Sequence, residues 1–294
     1  MDDISVIIPV FNASGSIHAA LESVAGQTLK PRQVIVVDDG SSDNSFDAAK
    51  AMTGHMNGIE LIVHKQTNLG AGAARNRAIQ SATGSWLAFL DGDDVWCADK
   101  LKRTMAVLKD GGYDLAAHDY TVLKNGVQVT IECAKLFRQY PDPVAGLYRK
   151  GFIATSTVVV RREWVEKAGG FDEDLKTAQD FDLWLKILTQ APTRFTVFDE
   201  PLMRYGVTAG SITSFTARRL DCSMIILNRH GPAMMKRRGG IGNIFYRIIA
   251  VHYEAIAASF PSRRFGFMLR CFLLLPFRLL KATHFLFIKD RTID

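Results

Sequence analysis

The sequence has no CxxC pair, and its four cysteines, Cys97, Cys133, Cys222 and Cys271, lie far apart. That scatter argues against a disulfide scaffold or a structural zinc site and predicts a reducing compartment. None of the seven histidines falls at a metal-ligand spacing. Low-complexity tracts are missing too; with 48% hydrophobic and 22% charged residues, the chain is expected to bury a sizeable core rather than stay disordered. No basic leader followed by an apolar core stands at the N-terminus, which predicts no secretory signal and a cytoplasmic location. There is no clean run of about 20 uncharged apolar residues either. The most apolar stretch, Phe265 to Ile288, is interrupted by Arg270, Arg278 and Lys281 and contains Pro276.

What is present is unevenly charged. From Phe215 onward 14 Lys/Arg face 4 Asp/Glu, a surplus of +10, while residues 1–214 carry 22 against 26, or −4. At 294 residues the chain suits one large domain with an appendage. We therefore expect a catalytic domain over 1–214 and a basic amphipathic helical region over 215–294. Such a region can sink Phe and Leu into a membrane surface while Arg and Lys meet anionic headgroups, placing the protein peripherally on the inner face of the cell membrane. A helical flap or a dimer contact would have the same composition. No nucleic-acid reader motif accompanies the basic residues, so nucleic acid is not an expected partner.

The first hundred residues alternate β-branched runs with helical patterns, the mark of βαβ units and a mainly parallel sheet. Strands are expected at Ile4 to Ile8, Val34 to Val37, Leu61 to Val63 and Trp86 to Leu90. Uniformly apolar runs suit strands covered on both faces. A helix follows the first strand, capped by Ser14 or Ser16, with Ile17, Leu21 and Val24 on one face. Further on, Asn125-Gly126 signals a hairpin, Thr157 to Val160 a strand, and Gln179 to Leu188 a helix. Gly239-Gly240 and Pro261 should break the C-terminal helices.

Acidic residues at strand ends carry the chemistry, because open α/β sheets bind ligands outside the C-terminal ends of their strands. The second strand runs into Asp38-Asp39-Gly40-Ser41 and the fourth into Asp91-Gly92-Asp93-Asp94. Carboxylates gathered in one cleft repel each other, and a hard divalent cation, Mg²⁺ or Mn²⁺, is their natural counterpart and a bridge to a diphosphate. A tight turn with a helix cap would use the same residues. Gly70-Ala71-Gly72 looks in part like a dinucleotide fingerprint, but it follows the third strand and lacks the sixth-position glycine. Arg75, on the entry to the next helix, is placed to pair with phosphate oxygens or in an ion pair.

These segments together resemble the family 2 glycosyltransferases of GT-A fold. The resemblance rests on Ser5-Val6-Ile7-Ile8-Pro9-Val10-Phe11-Asn12, Val36-Val37-Asp38-Asp39-Gly40-Ser41, Asn68-Leu69-Gly70 with Ala74-Arg75-Asn76, Phe89-Leu90-Asp91-Gly92-Asp93-Asp94, and Asp180-Phe181-Asp182-Leu183-Trp184. It implies an α/β, GT-A-like mixed sheet and a nucleotide-sugar donor. Carried over, Pro9 and Phe11 would border the nucleobase, Asp39 would accept a hydrogen bond from it, Asp91 would lie by the ribose and Asp93 would hold the metal. A carboxylate at Asp39 suits a pyrimidine imide N–H, favouring uridine or thymidine diphosphate over cytidine.

Asp180 is the expected base for the acceptor hydroxyl, although Gln179 stands where family members usually carry Glu. Asp182 points about 200° around the helix and is expected to be structural. Arg204-Tyr205 followed by Ser211 is similar to the family's closing segment, where Arg204 would meet the diphosphate. The QxxRW signature of similar processive synthases is absent. Taken together these imply metal-dependent, inverting transfer of one sugar from a UDP- or dTDP-sugar to a glycan or lipid-linked acceptor in polysaccharide biosynthesis. Two alternatives are a non-catalytic sugar-nucleotide or glycan-binding subunit and a nucleotidyltransferase, although the latter would want a basic phosphate signature where this chain has Pro9-Val10-Phe11-Asn12-Ala13.

Overall fold

Each of the first four apolar runs becomes a strand: β1 (Ile4–Val10), β2 (Gln33–Asp38), β3 (Glu60–Lys65) and β4 (Trp86–Phe89). In this computed structural model, which describes residues 3–189, 193–206, 216–260 and 263–287, they pair in parallel. Helices α1 (Ile17–Ala25), α2 (Ser45–Ala51) and α3 (Ala71–Ser81) make the crossovers, so β1, β2 and β4 are buried along their whole length. Helix α1 begins after Ser16 as expected, yet the Ser16 hydroxyl does not cap it. It donates instead to the carbonyls of Gly92, at 2.8 Å, and Ala13, at 3.3 Å.

Beyond β4 the chain adds β5 (Val95–Trp96), α4 (Lys100–Gly111), β6 (Leu115–His118), β7 (Tyr120–Lys124) and β8 (Val127–Ile131). Asn125 and Gly126, both at positive φ, form the β7–β8 turn. Helices α5 (Cys133–Gln139) and α6 (Pro143–Lys150) precede β9 (Val159–Arg161) and α7 (Arg162–Lys167). Helix α8 (Gln179–Thr189), β10 (Phe195–Phe198) and β11 (Met203–Tyr205) follow. The strand expected from Thr157 starts later, because Thr155–Thr157 curl into a 3₁₀ turn whose Thr157 hydroxyl donates back to the Ala154 carbonyl.

The main sheet has the order β10-β6-β9-β4-β1-β2-β3, with β9 antiparallel to both its neighbours; β5-β11-β7-β8 form a smaller sheet. These sheets and their helices belong to one compact unit, Met1–Phe137, Phe152–Asp174 and Gln179–Ala209. In its core, Phe89, Phe171 and Trp184 stack edge to face. Phe181, Leu185 and Leu188 are buried as α8's spacing requires.

A second unit gathers Arg138–Gly151, Leu175–Ala178 and Gly210–Asp294. Its long helices are α9 (Thr216–Met235), α10 (Gly240–Ser259) and α11 (Phe265–Ala282). The break between α9 and α10 falls at the expected glycine pair, where Gly239 adopts φ 98°; Pro261 lies outside the described residues. Helix α6 is capped by Asp142, which accepts from Val144 N and Ala145 N and pairs with Arg237 at 2.9 Å. Tyr148 donates to the Leu227 carbonyl.

Candidate active site

Because β4, β1 and β2 are neighbours running the same way, the three turns that leave them meet at one edge of the sheet. Asp39 N donates to the Val10 carbonyl, 2.8 Å away. The Asn12 side-chain oxygen accepts from Ser42 N, while Asn12 N donates to the Ser41 hydroxyl. These bonds bring Pro9, Phe11 and Asp39 together: Pro9 is buried and Phe11 half exposed. Gly40 sits at φ 76°, and a Cβ there would meet Asn68 N at 2.8 Å, so the turn requires glycine.

The Asp39 carboxylate is buried and anchors the loop entering α3. Its Oδ1 accepts from Gln66 Nε2 and Leu69 N, its Oδ2 from Gly70 N, all at 2.8–2.9 Å. A carboxylate offers about four lone pairs, which leaves one, on Oδ2, for a further donor.

The β4 turn is held from several sides. Asp94 N donates to the Asp91 carbonyl, and Asp91 N to the Ser156 hydroxyl at 3.0 Å. Asp94 Oδ1 accepts from Gly206 N at 2.8 Å. Burial first, and the neighbouring Asp91 next, hold the Asp94 carboxyl well above the usual range; bonds from Ser156 and Gly206 oppose this and Asp93 adds to it. Arg75, buried on α3, gives its guanidinium to Asp91 at 2.6 Å rather than standing open for a phosphate, and also lies 5.3 Å from the Phe171 ring.

Asp180 stands in the first turn of α8, after Ala178 at φ 58°. Its Oδ2 accepts a 2.7 Å hydrogen bond from Thr155, the residue next to Ser156. One short turn thus holds both the candidate base and the Asp91–Asp94 loop. Neither hydroxyl was visible as functional from the sequence; the cluster Thr155-Ser156-Thr157 ahead of an apolar triplet is the signal that points to them. Gln179 is buried against α3, where Gly72 leaves room: a Cβ there would lie 3.1 Å from the Gln179 amide nitrogen. Asp182 is fully buried and paired with Lys186, as expected of a structural acid.

Alternation along β11 separates Arg204 from Tyr205. Arg204 is exposed, with Cys97 within its electrostatic reach. The Tyr205 phenol sits among the acids: burial, then Asp94, Asp91 and Asp93, push its ionisation up. Its ring lies 5.8 Å from that of Tyr120, whose phenol is pushed up to about 12 by burial first, then by Cys133 and Asp94. Ser211 lies outside the described residues.

Among the described residues no three His, Cys, Asp or Glu side chains form a ready ligand cluster. The donor set nevertheless fits a hard cation, since Asp91 and Asp93 add to the cost of ionising Asp94 and the turn offers only oxygen. Of these acids, Asp91 is already engaged by Arg75.

A mainly parallel sheet with acids gathered at the C-terminal ends of its strands, and a helix-borne acid tied to them, is an architecture of α/β enzymes. The chain belongs to glycosyl transferase family 2, whose model matches residues 5–169. It is 30% identical over 246 residues to the amylovoran biosynthesis glycosyltransferase AmsB of Erwinia amylovora, covering 81% of each chain. To the Escherichia coli UDP-Glc:alpha-D-GlcNAc-diphosphoundecaprenol beta-1,3-glucosyltransferase WfgD it is 31% identical over 190 residues, 64% of this chain and 71% of the relative. The crystal structure of S. aureus TarS 1–349, 20% identical, matches 95% of this chain and 80% of that one with a TM-score of 0.71. The same TarS segment in complex with UDP-GlcNAc, 21% identical, matches 87% of this chain and 81% of that one at 0.63. The GT-A fold and the family expected from the sequence are thereby established, and with them glycosyltransferase activity.

Proposed function

We propose that the protein transfers one sugar from a UDP- or dTDP-sugar to a hydroxyl of a lipid-linked glycan, with inversion, in bacterial polysaccharide synthesis. The observation that carries this reading is the tie between Asp180 and the acidic turn through Thr155 and Ser156. A base and a diphosphate site held by one turn suit a single in-line displacement. WfgD, which by name acts on a diphosphoundecaprenol-linked sugar, supports the acceptor class, and the TarS complex supports a uridine diphosphate donor.

In this reading the nucleobase lies against Pro9 and Phe11, and its imide N–H donates to the remaining lone pair of Asp39. Asp91, fixed by Arg75, faces the ribose. Asp93 would hold Mg²⁺ or Mn²⁺, which when bound neutralises the charge of the departing diphosphate. Asp180 takes the proton of the acceptor hydroxyl as its oxygen attacks the anomeric carbon from the side opposite the diphosphate. Tyr205, kept protonated among the acids, would donate to a phosphate oxygen, and Arg204, exposed on β11, would meet the diphosphate.

The test is a screen of UDP- and dTDP-sugars for nucleoside diphosphate release with acceptor, with added metal and with chelator. Asp93→Ala should abolish metal dependence. Asp180→Asn should cut turnover by about 10² or more with donor affinity kept within about a few-fold. Equal rates in chelator and metal would remove the metal from the reading, and full transfer by Asp180→Asn would remove the base.

A further inference from the structure

Helix α11 presents an apolar face to the outside. Phe265, Leu269, Phe272, Leu273, Phe277 and Leu280 are 57–70% exposed. Their spacings of three, four, seven and eight residues put them on one side of the helix. The opposite side is the packed one, where Cys271 and Ala282 are buried and Arg278 turns inward to His252 and Asp221. The other two cations of α11, Arg270 and Lys281, are exposed at one margin of the apolar face, and Arg263 and Arg264 are exposed just ahead of it. No acidic residue occurs in α11.

An 18-residue helix is about 27 Å long, so this stripe is far larger than scattered exposed residues on a solvated surface. None of the helices among the described residues is long and apolar enough to cross a membrane. A second copy of the chain is a poor cover: an antiparallel two-fold contact across α11 would line the cations of both copies along one edge, a parallel one would leave them unpaired at opposite edges, and no acid on the helix would answer them in either. An anionic lipid surface supplies both missing partners, acyl chains for Phe and Leu and phosphates for the cations at the margin. We propose that α11 is an interfacial membrane helix, lying in the plane of an anionic leaflet on its Phe265–Leu280 face.

The inference does not depend on the proposed reaction, and its test reads binding rather than transfer. The full chain is sedimented with phosphatidylcholine vesicles, with and without phosphatidylglycerol, at low and high salt, and its UDP affinity is measured alongside. It should pellet with the anionic vesicles at low salt and be released by high salt. F272S/F277S should weaken binding by about tenfold or more, and R270Q/K281Q by about fivefold per cation on anionic vesicles only. Both variants change exposed side chains and should keep UDP affinity and melting temperature. The proposal is overturned by absence of binding to anionic vesicles at low salt while UDP still binds, or by variants that bind like the parent. It is equally overturned by a dimer in sedimentation equilibrium that F272S/F277S dissolves without vesicle binding. Attachment that resists high salt and yields only to detergent would replace the interfacial position with deeper insertion.

Discussion

Thr155 shows how little the candidate base controls its own position. An aspartate side chain has two freely rotating bonds, and among the described contacts of Asp180 the hydroxyl of Thr155 is the one that fixes a carboxylate oxygen, at 2.7 Å. Thr155→Val keeps the branched shape and removes the donor, so the carboxylate stays present but loses its alignment. Turnover is expected to fall by about tenfold with donor KM unchanged, and Thr155→Ser to restore most of it, as steady-state kinetics with varied donor will check. A loss confined to KM would assign Thr155 to donor binding instead. Ser156 carries more: it accepts from Asp91 N, bonds the Asp94 side chain, and through its carbonyl accepts from Trp96 Nε1 at 2.8 Å.

Helix α4 begins with a residue placed against ordinary rules. Lys100 stands at the positive end of the helix dipole, is fully buried, and its Nζ, 4.0 Å from the Trp96 ring centroid, has no hydrogen-bond partner. Burial pushes its ionisation well below the ordinary lysine value of 10.5. The folded chain therefore binds fewer protons here than the unfolded chain at any pH between the depressed value and 10.5, and the penalty eases as pH rises through that window. Lys100→Met should raise stability by about 1–3 kcal/mol at neutral pH, with a smaller gain in alkali, measured by urea unfolding across pH. Equal gains at all pH values would show that the amine is not the source.

The same elements show what a sequence reveals. Strands β1, β2 and β4 were legible because burial on both faces writes a uniform apolar run, and the acids after β2 and β4 were legible because they interrupt it. The smaller sheet showed only its β7–β8 hairpin, through Asn125-Gly126: β5 has two residues, β11 three, and β8 is largely exposed, so no alternation has room to develop. Tyr205 was read there only as part of the closing segment, with no role of its own. Thr155 and Ser156 were missed for a different reason. They precede β9, and since β9 is antiparallel, its beginning lies where its neighbours end; looking only after strands passes over them. Arg75 carries a charge suited to phosphate, but only the fold shows that Asp91 already occupies it.

At the scale of the molecule, the second unit draws in a segment from the middle of the chain. The buried face of α6, Val144, Ala145, Leu147 and Tyr148, belongs to the same unit as α9 and α10, and Arg247 Nη1 donates to the Arg149 carbonyl. A chain ending at Ser214 would keep α6 and lose those partners, uncovering side chains worth about 1.5–3 kcal/mol each when fully buried. Such a truncated chain is expected to aggregate or bind hydrophobic dyes, which size exclusion and dye fluorescence will show. A monodisperse, dye-free product would mean that α6 finds another cover.

Gly206 gives the acidic turn a history in time. Asp94 receives its amide from a residue 112 positions later, while β1 to β4 are already complete at Phe89. As the chain leaves the ribosome, the strands that carry the acids come first, the hydroxyls of Thr155 and Ser156 later, and the amide that completes Asp94 last. Growing chains carry an acidic turn well before they carry everything that holds it, so the site cannot be fully assembled until synthesis is far past the midpoint of the protein.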